Sequence, residues 1–306
     1  MSRAGTGREK TPAGTGREKT QLITLTEPPK NSSLFVKAAL GAVPVPLVSA
    51  RKSTLPDRTV RLEGFTVDPD HLAAYCRATG LRFNDSLPLT YPFILSFPLA
   101  MQLVVARDFP FVAVGAVHAQ NLIERTREIS VSEPLDFTTH IENLREHPKG
   151  LLVDAVTEVN VGRELVWRQV TTFLHQQRTS LSGGPKPEPK PQEVAPPPLR
   201  TMRVDQKTIT RYASASGDHN PIHTSALGAK AFGFPKAIAH GMWSAANILG
   251  NIEGRIPEQT TYAVKFGKPI LLPSTVNVYA DQVEGGWDLA LLNPKKGYPH
   301  LTATLR

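Results

Sequence analysis

Residues 212–243 read YASASGDHNPIHTSALGAKAFGFPKAIAHGMW, and this stretch carries the strongest signals in the chain. It links a short predicted helix over residues 208–217, which ends in a glycine, to a longer apolar helix predicted over residues 234–249. Between the two helices lies a polar turn, where Gly, Asn and Pro favour a tight change of direction. A cluster of polar side chains is therefore expected between two packed helices.

The same order of elements occurs earlier in the chain. Residues 71–80 form a second predicted short helix ending in glycine, and residues 91–105 a second apolar helix. Alternating, proline-interrupted segments follow in both places, at residues 116–144 and 261–283, and indicate antiparallel strands. Helix, apolar helix and strands in this order predict an α+β class, in which a curled sheet wraps each apolar helix.

The domain boundaries follow from composition. Residues 182–198 read SGGPKPEPKPQEVAPPP, which favours an extended spacer, and residues 4–11 and 13–20 repeat the string AGTGREKT, which cannot bury enough apolar area to fold. We predict four segments: a disordered tail (1–30), a first unit (31–180), a proline-rich linker (181–198) and a second unit (199–306).

Composition narrows the possible functions. The chain has 306 residues, a formal net charge of +8 and one cysteine, Cys76. The basic residues form no block, so nucleic-acid binding is not predicted, and an acidic ligand or carrier is the alternative to an ordinary basic surface. The apolar stretch 34–50 is interrupted by Lys37 and two prolines, so no membrane span is predicted. A single cysteine fits the cytoplasm.

Asp218 and His223 are the candidate acid–base residues. They lie five residues apart across the turn, so their side chains can converge, and each perturbs the proton affinity of the other. An ordinary turn with an exposed histidine is the alternative. Gly241 lies near the start of the apolar helix, where a backbone N–H can stabilise developing negative charge, and a simple packing glycine is the alternative there.

The motifs YASASGDHNPIH and AKAFGFPKAIAHGMW resemble the signature of the MaoC-like, (R)-specific enoyl thioester hydratases, which have the hot-dog fold. Outside this signature, LTYPF, NLREHPKGLLVD, TTFLHQQRTSLSG and KGYPHLTAT are similar to the mycobacterial two-hot-dog 3-hydroxyacyl-thioester dehydratases. The resemblance covers residues 34–306 and implies a double hot-dog. It also implies reversible hydration and dehydration of acyl chains carried on coenzyme A or an acyl carrier protein.

The resemblance implies a role for each matching residue. Asp218 and His223 correspond to the catalytic pair, Gly241 to the glycine whose N–H polarises the thioester carbonyl, and Asn220 to the amide that orients the water or the pair. The loop of the first unit, residues 80–86, has no such pair, and Pro98 stands where the amide donor is wanted. We therefore predict that the first unit is a non-catalytic hot-dog.

The sequence is compatible with several alternatives. A hot-dog thioesterase and a non-catalytic acyl-binding subunit are the competing functions. No cofactor is predicted, and a metal site formed by Asp218 with His219, His223 and His240 is disfavoured because the spacing lacks a ligand pattern. The predicted partner is an acyl-CoA or acyl-carrier-protein substrate, and both a monomer and a homodimer are compatible with a double hot-dog. Lys265, Lys268 and Arg211 are either solvated or contact ligand phosphates.

Overall fold

The computed structural model describes residues 20–29, 34, 54–112, 115–184 and 196–306. The duplicated N-terminal segment, the apolar stretch after Leu34 and the middle of the proline-rich linker therefore lie outside the described residues. Among the helices of the described part, none is long and apolar enough to cross a membrane.

The first unit contains six strands and two helices within the described residues. Strand β1 (Gln21–Leu25) pairs in parallel with β2 (Arg58–Phe65), so the prediction of a disordered tail to residue 30 was wrong at its C-terminal end. The remaining elements are α1 (Pro69–Thr79), α2 (Tyr91–Val104), β3 (Val117–Arg125), β4 (Leu135–His147), β5 (Gly150–Val161) and β6 (Glu164–Gln176).

The second unit repeats this order from β2 onward and adds two short helices in the turn between its long ones. Its elements are β7 (Arg200–Val204), α3 (Gln206–Ser216), α4 (Pro221–Thr224), α5 (Ala226–Ala231), α6 (Gly241–Leu249), β8 (Thr260–Phe266), β9 (Ser274–Val283), β10 (Gly286–Leu292) and β11 (Pro299–Leu305). The two short helices lie between α3 and α6, where the sequence places the polar turn.

All described strands join one sheet in the order β1-β2-β4-β5-β6-β3-β8-β11-β10-β9-β7. From the central pair β3–β8, the order outward is β6, β5, β4, β2 on one side and β11, β10, β9, β7 on the other. Corresponding strands thus occupy corresponding places, which shows that the two units share one topology. The predicted α+β double hot-dog is confirmed.

Each sheet half wraps one apolar helix. Helix α2 is buried around nearly its whole circumference, and α6 exposes little more than its ends. The predicted range 91–105 agrees with α2, but α6 begins seven residues later than predicted. Residues before it are extended because Ala239 N–H donates to Ile270 O and Leu272 N–H donates to Ala237 O, which replaces helical hydrogen bonding.

The units also contact each other through their helices. The indole Nε1 of Trp243 in α6 donates to Ala78 O at 3.0 Å, and Asn247 Nδ2 donates to Thr79 O at 2.8 Å. These carbonyls lie in the last turn of α1, where helical carbonyls have no partner within the helix. The C-terminal end of α1 is therefore satisfied by the second unit, and the two units form one folded body.

Candidate active site

The candidate site begins where α3 ends. Gly217 takes φ +68°, a left-handed conformation that ends the helix and turns the chain. The Asp218 N–H then donates to Ser216 Oγ at 3.2 Å, and the Asn220 N–H donates to Asp218 Oδ1 at 3.2 Å. These local bonds hold the Asp218 carboxylate at the mouth of the turn, where its side chain keeps 21% of its accessible surface.

Asn220 has a structural part in this turn. Its side-chain Oδ1 accepts the Ile222 N–H at 3.3 Å and so caps α4, the short helix that carries His223. With its oxygen engaged in this way, Asn220 fixes the direction in which α4 leaves the turn. The predicted role of orienting the water or the pair stays a prediction, and here Asn220 orients the backbone between Asp218 and His223.

His223 is buried, and its hydrogen bond defines its tautomer. Its Nδ1 lies 2.9 Å from the carbonyl oxygen of Ile238, which can only accept, so Nδ1 carries the proton and Nε2 carries the lone pair. Burial lowers the pKa of His223, while the nearby Asp218 carboxylate raises it. The result is a neutral imidazole whose Nε2 keeps its lone pair, which is what a proton acceptor requires.

His240 joins the two predicted catalytic residues. Its ring stacks on His223 with centroids 3.8 Å apart, its Nε2 donates to Asp218 O at 2.9 Å, and the same nitrogen lies 3.7 Å from Asp218 Oδ2. Burial holds the pKa of His240 well below its ordinary value. The sequence favours a structural histidine in the turn into α6, and the structure adds that it contacts both members of the pair.

Gly241 follows His240 directly and is the first residue of α6. Its N–H is one of the amides that a helix N-terminus leaves without an internal partner, so it suits a developing negative charge at this end of the site. A Cβ at this position would lie 3.1 Å from Cε1 of Phe266. A glycine therefore allows the Phe266 ring to pack against the start of the helix.

His118 lies near the pair but was not predicted from the sequence. It belongs to β3 of the first unit, about 100 residues before Asp218 in the sequence, yet Asp218 and His223 are the titratable groups that act on its pKa. Burial lowers that pKa to about 4, against the opposing effect of Asp218. No local motif surrounds His118, so nothing in the sequence marks it as part of the site.

The described residues contain one group of side chains close enough to share a metal ion: Asp218, His223 and His240, whose donor atoms all lie within 4.8 Å of one another. The geometry of the two imidazoles does not fit this role. Their rings are nearly parallel, 28° apart and stacked at 3.8 Å, whereas nitrogen lone pairs lie in the ring planes. Two such rings cannot direct both lone pairs to one tetrahedral ion.

The corresponding region of the first unit lacks this chemistry. Helix α2 begins at Tyr91, and Pro98 lies in its interior, so the prediction that Pro98 occupies the amide-donor position was wrong. The position that corresponds to Gly241 is instead the bulky Tyr91, followed by Pro92. In the preceding loop, the Arg82 N–H is bound by the Glu253 carboxylate of the second unit at 2.9 Å. This loop serves the contact between the units.

Lys265, Lys268 and Arg211, for which solvation and phosphate contact were the two alternatives, are exposed. Lys268 Nζ lies 4.4 Å from the centroid of the Tyr298 ring, in a cation–π contact, and Arg211 Nη2 lies 3.5 Å from Thr208 Oγ1. They remain candidates for contacts outside the acid–base site.

The fold and the site together define the class: a double hot-dog that places a carboxylate and a neutral imidazole beside the N-terminus of one central helix. Comparison with known proteins agrees with this class. The family described as "MaoC like domain" matches residues 186–290. The chain is 52% identical over 282 residues to 3-hydroxyacyl-thioester dehydratase X of Mycobacterium tuberculosis, which covers 92% of this chain and 99% of the relative. The chain therefore belongs to the MaoC-like dehydratase family.

Solved structures show the same fold. The crystal structure of HtdX from Mycobacterium tuberculosis superimposes with a TM-score of 0.74 at 51% identity, covering 81% of this chain and 99% of that one. A MaoC-like dehydratase from Phytophthora capsici gives a TM-score of 0.62 at 18% identity, covering 81% of this chain and 94% of its own. The second likeness concerns the fold alone.

Proposed function

We propose that the chain is a hydro-lyase that interconverts (3R)-3-hydroxyacyl thioesters and trans-2-enoyl thioesters plus water, in fatty-acid metabolism. The observation that carries this proposal is the Asp218–His223–His240 cluster at the N-terminus of α6, in a chain 52% identical to a protein named as a 3-hydroxyacyl-thioester dehydratase. The reaction needs an acid–base pair at C2 and C3 and a donor at the thioester carbonyl; the cluster supplies the pair, and the neighbouring Gly241 N–H supplies the donor.

In the dehydration direction, the neutral Nε2 of His223 is suited to accept the proton from C2. The developing enolate then places negative charge on the thioester oxygen, which the Gly241 N–H is suited to stabilise. The C2–C3 double bond forms as the C3–O bond breaks, and the 3-hydroxyl takes a proton from the Asp218/His223 pair and leaves as water. Hydration uses the same groups in reverse.

The wider assignments belong to the same proposal. The first unit is non-catalytic and leaves room for the acyl chain, and the carrier is coenzyme A or an acyl carrier protein. A monomer and a homodimer both fit, since the sheet halves already pair through β3 and β8 within one chain. We assign the protein to the cytoplasm, a compartment that suits the single free, buried thiol of Cys76.

The first prediction concerns the catalytic pair. Asp218→Asn and His223→Gln should each lower the hydration rate of crotonyl-CoA and longer trans-2-enoyl-CoA about 100-fold or more, since positioned proton transfer contributes factors of this size. The measurement is the loss of the enoyl-thioester ultraviolet absorbance. His219→Ala, at the exposed histidine beside the pair, is the matched control and should leave the rate close to that of the wild type.

The other possible outcomes separate the competing functions. Release of free thiol from acyl-CoA would identify a thioesterase instead. If no enoyl-CoA is turned over, the same assay is repeated with acyl-carrier-protein substrates. If these are not turned over either, a non-catalytic acyl-binding role is left. Full activity of both Asp218→Asn and His223→Gln would disprove the assignment of the pair.

A further inference from the structure

A β-bulge in the first unit turns His118 toward the site. In β3, the buried residues Asn121, Ile123 and Arg125 alternate along the inner face of the sheet. Strict alternation would place Ala119 on that face and His118 outside. The register against β6 shifts between His118 and Gln120, leaving Ala119 without a partner. This bulge brings His118 onto the inner face instead, as bulges near active sites often do.

Three aromatic rings surround the imidazole on that face. Ring centroids lie 4.6 Å away for Phe173 in β6, 5.6 Å for Phe93 in α2 and 6.0 Å for Phe266 in β8. Phe266 is also the ring that packs against Gly241. His118 is therefore one aromatic ring away from the helix N-terminus that carries the amide donor.

The imidazole makes ring contacts but forms no hydrogen bond with any residue in the described part of the chain. It retains some accessible surface, so it is not sealed within the core. A neutral imidazole has one N–H donor and one lone-pair acceptor, and here neither bonds a protein group, so both are left to solvent or to a ligand. Both nitrogens are therefore available to a polar group of a ligand that enters this space.

We propose that His118 is a substrate-contacting residue that the non-catalytic unit contributes to the active site, and that its imidazole hydrogen-bonds the 3-hydroxyl of the 3-hydroxyacyl thioester. The inference rests on the proposed dehydratase function. The Gly241 amide faces the carbonyl end of the reacting group, and Asp218 and His223 handle the protons. The 3-hydroxyl both donates and accepts hydrogen bonds, which matches a neutral imidazole.

The test uses the difference between the two substrates, because only the hydroxyacyl thioester carries the hydroxyl. In His118→Phe, KM for the 3-hydroxyacyl-CoA should rise about tenfold in dehydration with little change in kcat, the size expected for one lost hydrogen bond. A substitution cannot change the equilibrium constant of the reaction, so kcat/KM must fall by the same factor in both directions. Because the enoyl-CoA lacks the hydroxyl, its KM should stay unchanged, and the loss in hydration should appear as a roughly tenfold lower kcat.

Two further variants make the test specific. His118→Gln keeps a donor and an acceptor and should restore much of the lost affinity for the hydroxyacyl substrate. Gln120→Leu, on the exposed face of the same strand, should behave as the wild type. If the phenylalanine variant fails to fold, His118→Leu also removes both nitrogens and carries the same measurement.

The outcomes distinguish this inference from the proposed function. An active wild type with a His118→Phe variant of unchanged kcat and KM in both directions would overturn the role of His118 alone. Equal tenfold losses in kcat in both directions with no change in either KM would also overturn it, because they would indicate a general disturbance of the site. A wild type that neither hydrates nor dehydrates any thioester would refute the dehydratase function itself.

Discussion

Three histidines around the site share one property, although they come from different parts of the chain. His118, His223 and His240 are all neutral at physiological pH because burial lowers the pKa of each. A neutral imidazole can accept a proton, whereas a protonated one can only donate. The environment of His223 therefore selects the protonation state that its proposed role in proton abstraction requires.

The same burial makes the stability of the protein depend on pH. A histidine whose pKa is lower in the folded state binds fewer protons there than in the unfolded chain once the pH falls below about 6.5. We therefore expect the free energy of unfolding to fall as the pH drops from about 6.5 toward the folded-state pKa of His118 of about 4. Urea unfolding at several pH values measures this slope.

His118→Phe removes one of these groups and provides the comparison. Its stability should fall less steeply with decreasing pH over the same window, by at most one proton. Gln120→Leu, which removes no titratable group, should keep the wild-type slope. Equal slopes for wild type and His118→Phe would mean that His118 titrates in the folded protein as it does in the unfolded chain.

At the scale of elements, α1 and α3 have the same caps at both ends but lead into segments with different roles. Asp68 and Asp205 cap their N-termini through side-chain oxygens, and Gly80 and Gly217 end them with φ of +78° and +68°. After Gly80 the chain enters the loop that contacts the second unit, whereas after Gly217 it enters the turn that carries Asp218. The same cap therefore supports the contact between the units in one case and the proposed acid–base pair in the other.

This difference gives a matched prediction. Gly80→Ala and Gly217→Ala should each cost about 1–2 kcal/mol, since an alanine is strained in the left-handed region. Only Gly217→Ala should also lower the hydratase rate strongly, because relief of the strain displaces the Asp218 carboxylate. Urea unfolding and the enoyl-CoA assay on both variants measure the two effects. Equal activity losses in both variants would contradict the idea that only the turn after Gly217 positions a catalytic residue.

At the scale of the whole molecule, the pairing of β3 with β8 (the central seam) joins the two units into one sheet. β3 pairs with β8 from Gln120–Lys265 to Arg125–Thr260, so the sheet continues without interruption from one unit to the other. At the end of this seam the buried guanidinium of Arg125 donates to Glu258 O at 2.9 Å and to Pro257 O at 2.7 Å, both in the second unit. The first unit thus stabilises the chain segment that leads into β8.

Arg125→Met should therefore destabilise the entire protein. The change removes two charge-assisted hydrogen bonds and leaves two carbonyls without these donors, at a cost of about 2–4 kcal/mol. Unfolding should remain one cooperative transition, because the units share a sheet. Arg168→Met, which removes an exposed ion pair with Glu124 at 3.1 Å, is the control and should cost less than about 1 kcal/mol. Two separate unfolding transitions would show that the units fold independently.

Much of this architecture is determined by the sequence on its own. Glycine-terminated helices, the apolar stretch that becomes α2 and the repeated order of elements are local patterns, so they predict two similar helix-wrapped sheets. Asp218, His223 and Gly241 lie within about two dozen residues of one another, and the turn between them is encoded by Gly, Asn and Pro. A short-range pattern of this kind can be recognised from the sequence without knowledge of the fold.

Other features depend on hydrogen bonds between distant segments, and only the tertiary structure decided them. Helix α6 begins at Gly241 because the preceding residues pair with Ile270 and Leu272, and β1 forms because β2 offers it an edge. His118 faces the site because a mismatch between β3 and β6 reverses the alternation of side chains. A bulge depends on the register of two strands, and no residue beside His118 encodes that register.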